Sequence, residues 1–355
     1  MNSTGTNRSR RRNLSVAKRL GNLSNLGAIV LVFSSLALAG CTGKYKRPTT
    51  PEKVATTPER LARGSYIVNQ SASCGACHTP REGGTILGGE RTDAFLGGGM
   101  VVTEAELGAT LAIPNITPDV ETGIGGWSDD EIMRAIRDGV ARDGHLLIPM
   151  MPFTSYQYLS DEDLRSVVAF LRSIPPVKNK VDRSVNDLPF FAGFMLNRGM
   201  AHHPPARDVT APPPPSRGGA QVKYGEYVAR LGHCWECHSD KSGRGPDEEW
   251  MFGGGQPLNA NNVGRVYIRN LTPDAETGLG KYSAAQIKQA LRDGKRLDGK
   301  PMAPPMSLFI PHLSGLTDED IDALIAYLRA QKPIKNKVKD RELSPETKKV
   351  LGTDA

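Results

Sequence analysis

The chain repeats itself, and the repeat limits its fold more than any other feature. The run from Asn115 to Gly144 aligns without a gap to the run from Asn270 to Gly299, at an offset of 155, and 16 of the 30 positions are identical. Leu159–Asp163 matches Leu316–Asp320, and Lys178–Val181 matches Lys335–Val338, both at an offset of 157. Self-similarity over so long a period implies two copies of one folding unit. In a chain of 355 residues, the copies at 58–181 and 220–338 are each one small domain of ordinary size.

Between the copies, residues 182–219 include Ala211 followed by four consecutive prolines. Such a run lacks backbone donors and favours an extended, semi-rigid spacer. Residues 41–57 read as a tether and 339–355 as a C-terminal tail. Within each copy the start signals of helices recur. Thr57-Pro58 is an N-cap followed by proline at the first helical position. Ser128 with Glu131, and Ser283 with Gln286, are capping boxes ahead of apolar positions three and four apart. Ser160 and Thr317 cap a last helix in each copy. Convincing strand alternation is absent, so the expected fold class is all-α, about three helices per copy joined by long Gly/Pro loops.

The formal net charge of +7 would suit a nucleic-acid partner, but its distribution excludes one. Arg8, Arg10, Arg11, Arg12, Lys18 and Arg19 give residues 1–40 a net +6 with no acid, leaving +1 for all that follows. A basic stretch, an apolar run from Leu26 to Ala39 and small residues before Cys41 read as a cleaved signal peptide. The apolar run is short for a membrane span. Leu38-Ala39-Gly40-Cys41 resembles a bacterial lipoprotein processing box, which makes Cys41 the acylated residue and places the chain at a membrane in the periplasm. A plain signal peptide with a chance cysteine is the alternative. Thr42, rather than an aspartate, after the cysteine points to the outer membrane over the inner one.

The other four cysteines lie in Cys74-Gly-Ala-Cys77-His78 and Cys234-Trp-Glu-Cys237-His238, one pentapeptide per copy. CxxCH is an attachment signature for c-type haem. Two cysteines three apart on a helical turn point the same way and can add to two vinyl groups, and the next residue then offers its imidazole to the iron. Two covalent haems are therefore expected, on Cys74, Cys77, Cys234 and Cys237, with His78 and His238 as axial ligands. A zinc site would need both pairs together, and a disulfide oxidoreductase would need a βαβ context.

Met151 and Met306 both fall eight residues after an aligned aspartate (Asp143 and Asp298) in a proline-rich loop. They are the expected second axial ligands, although a methionine in such a loop is often simple packing. Met100 faces Gln256 in the other copy and reads as structural. His312 is a rival ligand near Met306, His233 reads as a surface residue, and His145, His202 and His203 have no counterparts.

Taken together, Cys74–His78, Asn115–Trp127, Pro149–Phe153, Leu159–Asp163 and their partners resemble tandem class I cytochrome c domains. They are similar to the cytochrome subunits of membrane-bound alcohol and gluconate dehydrogenases. The resemblance implies a class I fold around each haem and places the NITPD stretch near the haem edge. Those subunits usually carry three haem motifs, and this chain has two. His/Met ligation raises the potential and leaves no open site on iron, so the expected function is electron transfer between redox protein partners, not catalysis. A dedicated dehydrogenase subunit and a dihaem peroxidase are the alternatives.

Overall fold

The computed structural model describes residues 49–104, 109–182, 209–212, 219–240, 247–260 and 262–353. The leader, Cys41, His202, His203 and most of the proline-rich linker lie outside these residues. The first copy comprises helix α1 (Pro58–Tyr66), which runs on through a π-helical turn to Ser71, then α2 (Cys74–His78), hairpin β1–β2 (Val101–Glu104 and Ala109–Ala112), α3 (Asp129–Asp138), α4 (Phe153–Tyr156) and α5 (Asp161–Ser173). The second repeats this order as α6 (Gly219–Leu231), α7 (Cys234–His238), β3–β4 (Pro257–Ala260 and Gly264–Tyr267), α8 (Ala284–Asp293), α9 (Met306–Leu313) and α10 (Asp318–Arg329). The fold is mostly helical, as expected. Its described strands are at most four residues long and show no extended alternation. Among the described residues, no helix is long and apolar enough to cross a membrane.

The expected starts are where the residues dictate. Ser128 Oγ accepts from the Glu131 amide at 3.1 Å while Glu131 accepts from the Ser128 amide at 2.7 Å. Ser283 and Gln286 repeat the box at 3.2 and 2.8 Å. Both helices end at a left-handed glycine, Gly139 (φ 64°) and Gly294 (φ 65°), where a Cβ would be strained. Residues 339–355, read as a tail, are ordered over their described part. Glu342–Leu343 (β5) pairs with β4, and Ser344 caps α11 (Pro345–Val350). Ser344-Pro345 is the same signal as Thr57-Pro58.

In each copy the first helix crosses the last, α1 on α5 and α6 on α10. The crossing needs glycine on the first helix. A Cβ on Gly64 would lie 2.0 Å from the Ser166 carbonyl oxygen, and one on Gly225 would lie 1.9 Å from that of Ala323.

The copies share one core. Ile67, Val68, Leu164 and Val168 of the first belong to the same buried apolar cluster as Tyr224, Tyr227, Val228 and Leu324 of the second. Polar contacts reinforce this in a reciprocal pattern. Tyr66 Oη donates to Asp320 at 2.5 Å and accepts from the Thr317 amide at 3.1 Å. Tyr227 Oη donates to Asp163 at 2.6 Å and accepts from the Ser160 amide at 3.0 Å. Each first helix thus caps the last helix of the other copy. Within the copies, Arg63 donates to Asp163 at 2.7 Å and Tyr224 to Asp320 at 2.8 Å, so neither buried carboxylate is left bare.

Candidate functional site

The two motif helices enter in the same way. The residue before each is left-handed, Ser73 at φ 51° and His233 at φ 41°. That conformation costs a residue with a Cβ about 1–2 kcal/mol, and the chain adopts it at both sites. The turn that follows puts the two cysteines of each motif on one face. None of the four sulfurs is paired in a disulfide. Before a haem is attached, burial pushes them up, Cys74 and Cys237 to about 12 and Cys77 and Cys234 to about 11, so the unattached cysteines are held as thiols rather than thiolates. Among the described residues, no group of three His, Cys, Asp or Glu is placed to hold a metal ion.

His78 and His238 are oriented by matching backbone carbonyls. His78 Nδ1 lies 2.9 Å from the Pro114 oxygen, and His238 Nδ1 lies 2.8 Å from the Arg269 oxygen. A carbonyl only accepts, so Nδ1 carries the proton and Nε2 keeps its lone pair. Burial pulls both imidazoles below their usual range, which keeps them neutral.

The repeated asparagines build this support. Asn115, just after the accepting carbonyl, donates to the Val177 oxygen at 2.7 Å, and its own oxygen accepts from the Thr117 amide at 2.9 Å. Asn270 does the same with Ile334 and Thr272 at 2.8 and 2.9 Å. Asn179 and Asn336, from the repeated Lys-Asn-Lys-Val run, each donate at 2.8 Å to a glycine carbonyl, Gly97 and Gly253. The next glycines, Gly98 and Gly254, donate back to the carbonyls of His78 and His238 at 2.6 and 2.9 Å. The carbonyl partners could not be picked out by residue type, because every residue has a carbonyl. Their signal was the invariance of the flanking asparagine between the copies.

Met151 shares with Cys74, Cys77 and His78 the wall of one cavity of about 500 Å³ in the first copy. Met150 and the Asn115–Ile116 and Glu121–Ile124 stretches of the NITPD loop also face it. Met306 is the first residue of α9 and packs against the apolar cluster that contains Ile287, Leu313 and Ile321. Met100 is buried, as expected of a structural residue. His312 is turned toward the first copy. Its Nδ1 lies 2.9 Å from the Asn69 oxygen and its Nε2 lies 3.3 Å from Glu90, both in the first copy. His145 pairs with Asp143 at 2.5 Å on the exposed rim.

His233 is not a surface residue. Its ring packs edge-on to Phe309 at 5.0 Å and Tyr156 at 6.3 Å, and with Phe309 it lines the first copy's cavity. Burial pulls it down to about 4, so it is neutral. A polar side chain without a counterpart in the repeat gave no hint of this, because the contact crosses between the copies. The motifs interlock there too. Trp235 donates to Ser155 at 2.5 Å, Glu236 accepts from Ser155 at 2.7 Å, and a Cβ on Gly75 would lie 2.8 Å from His312 Cε1.

A largely apolar cavity with two thiols, a neutral imidazole and a thioether on its walls fits a flat, covalently held macrocycle. Residues 59–171 match the family of cytochrome c oxidase, cbb3-type, subunit III, and residues 222–332 match the cytochrome c family. Over 304 residues the chain is 30% identical to a dihaem c-type cytochrome of Cereibacter sphaeroides, covering 82% of this chain and 94% of the relative. This chain belongs to the dihaem c-type cytochromes.

The cytochrome is also 30% identical to the gluconate 2-dehydrogenase cytochrome c subunit of Pantoea cypripedii, over 76% of this chain and 59% of that one. The fructose dehydrogenase cytochrome subunit of Gluconobacter japonicus is 30% identical as well, over 83% and 57%. The chain thus spans a little under three-fifths of these two subunits. The cytochrome carries two covalent haem c groups, whose iron cycles by one electron. The residues around them attach, orient and exclude water.

Proposed function

We propose that this cytochrome is a lipid-anchored periplasmic electron carrier whose two haems each have histidine and methionine as axial ligands. It passes electrons from a respiratory or dehydrogenase donor to an acceptor. His78 with Met151, and His238 with Met306, are the ligand pairs. The observation that carries this reading is the placement of His78, its Nε2 uncommitted, and Met151 on the walls of one cavity. The repeat extends it to Met306. With both axial positions filled, no iron position remains open to substrate, which favours a carrier over a peroxidase. The anchor rests on Cys41, and acyl labelling lost in Cys41→Ser, with release of the protein from membranes, is its test.

Replacing Met151 or Met306 by histidine should lower the potential of one haem only, because axial-ligand identity tunes haem over a wide range. A potentiometric titration of each variant reads this directly. Unchanged potentials in Met306→His would show that another residue is the ligand. A dedicated dehydrogenase subunit is the second reading, favoured by the names of the relatives above. Purification from the native membrane with a flavin- or quinone-dependent dehydrogenase in fixed ratio would select it.

A further inference from the structure

The copies differ in charge beside the second motif. The loop after α8 is built like the loop after α3. The Ala141 amide donates to the His145 oxygen at 2.9 Å and the Gly144 amide to the Ala141 oxygen at 3.0 Å. The Arg296 amide donates to the Lys300 oxygen at 2.7 Å and the Gly299 amide to the Arg296 oxygen at 2.8 Å. Arg296 therefore stands where Ala141 stands. Arg269 stands where Pro114 stands, since each offers its carbonyl to the motif histidine. In the first copy both positions line the haem cavity.

A third guanidinium joins them. Arg341 donates to the Pro301 oxygen at 2.6 Å, and Pro301 takes the place of the cavity-lining Leu146 in the paired bridge with Lys295. Burial lowers the pKa of Arg269 and Arg341, and repulsion from Arg296 lowers both further, so three like charges have been brought together against their mutual field. Two exposed carboxylates offset them in part. Asp298 lies 2.7 Å from Arg296, and Asp340 lies 3.6 Å from Arg296 and 4.0 Å from Arg269. The group keeps one positive charge in excess. Of Asp, Glu, Lys and Arg, the described residues of the first cavity's wall include Glu121 and Lys180 and no arginine.

We propose that Arg269, Arg296 and Arg341 form a carboxylate-binding site for the propionates of the second haem, and that this site makes the second haem the higher-potential centre. A guanidinium binds a carboxylate with paired donors. Positive charge beside iron favours the reduced state, which holds one more electron. Electrons entering at the first domain would then move downhill to the second. This rests on a haem being seated in the second domain, which denaturing mass spectrometry checks separately on every variant.

The test is potentiometry on the full-length, haem-loaded protein, with Arg269→Gln, Arg296→Gln and Arg341→Gln made singly and Arg296→Lys as the charge-conserving control. Each neutral variant should lower the second haem's potential and leave the first unchanged. The triple variant should shift its redox equilibrium at least tenfold, about 59 mV for one electron. Arg296→Lys should recover most of its shift. The second haem is identified as the one that moves in Met306→His. Thermal unfolding separates a purely structural salt-bridge cluster, since melting temperature would fall while both potentials stayed put. That outcome, or a second haem already lower than the first in the unmodified protein, overturns the proposal.

Discussion

Removing one oxygen atom at the seam between the copies, in Tyr227→Phe, should destabilise the protein by about 2–4 kcal/mol. Tyr227 Oη donates to Asp163 at 2.6 Å and accepts from the Ser160 amide at 3.0 Å, and both partners are buried. Losing a hydrogen bond to a charged group costs about 1.5–3 kcal/mol, and leaving a buried amide unpaired costs about 1–3 kcal/mol. Arg63 still holds Asp163, so the carboxylate stays paired and the total falls short of the sum of the upper values. Tyr66→Phe removes the matching hydroxyl at a wetter position and should cost less, about 1–2 kcal/mol. Urea unfolding of the haem-loaded variants, followed by haem absorbance and by fluorescence, gives both numbers. Weakening the seam should also let the two probes separate, as the copies cease to unfold together. Burial and the bond to Asp320 push Tyr66 from 10.0 up to about 12. A raised folded value means the contribution is full below about pH 10 and disappears as the pH rises to about 12. That alkaline loss should be reduced in Tyr66→Phe. A cost below about 0.5 kcal/mol for Tyr227→Phe, or a larger cost for Tyr66→Phe than for Tyr227→Phe, would refute the reasoning.

Mass spectrometry under denaturing conditions should show two haem additions to the mature chain, and Cys77→Ser or Cys237→Ser should weaken attachment in one domain only. Gly64→Ala and Gly225→Ala should destabilise despite a helix-propensity gain of about 1 kcal/mol. The added methyl would meet a backbone oxygen at 2.0 or 1.9 Å, and relieving that overlap costs more than the gain; chemical denaturation gives the sign. His233→Ala and Phe309→Ala, both in the second domain, should lower the potential of the first haem by admitting water to its cavity, as spectroelectrochemistry would show.

Chemistry that depends on side-chain identity within a few residues was readable from the chain. The thiols and imidazole of each motif, the capping boxes at Ser128 and Ser283, and the caps at Ser160 and Thr317 are all local patterns, and each sits where its spacing implied. Features that depend on backbone atoms or on contacts across the repeat were not. The Pro114 and Arg269 carbonyls that orient the histidines belong to different residue types, so comparing the copies residue by residue passes over them. His233 looked solvated because the rings that cover it come from Tyr156, 77 positions earlier, and Phe309, 76 positions later. The crossing glycines fall between these cases. Gly64-Ser-Tyr66 and Gly225-Glu-Tyr227 form a matched Gly-x-Tyr at an offset of 161, displaced from the 155 and 157 of the longer matches and from the 160 between the two CxxCH motifs. The displacement hid the match. Both of its fixed residues have reasons to stay, since glycine admits the last helix of its own copy and tyrosine caps the last helix of the other. A pattern kept through duplication at a shifted register therefore marks the contact that binds the two copies into one body. Positions where the register holds and the residue changes, such as Pro114 to Arg269 and Ala141 to Arg296, are where the two domains are free to differ in electrostatic field.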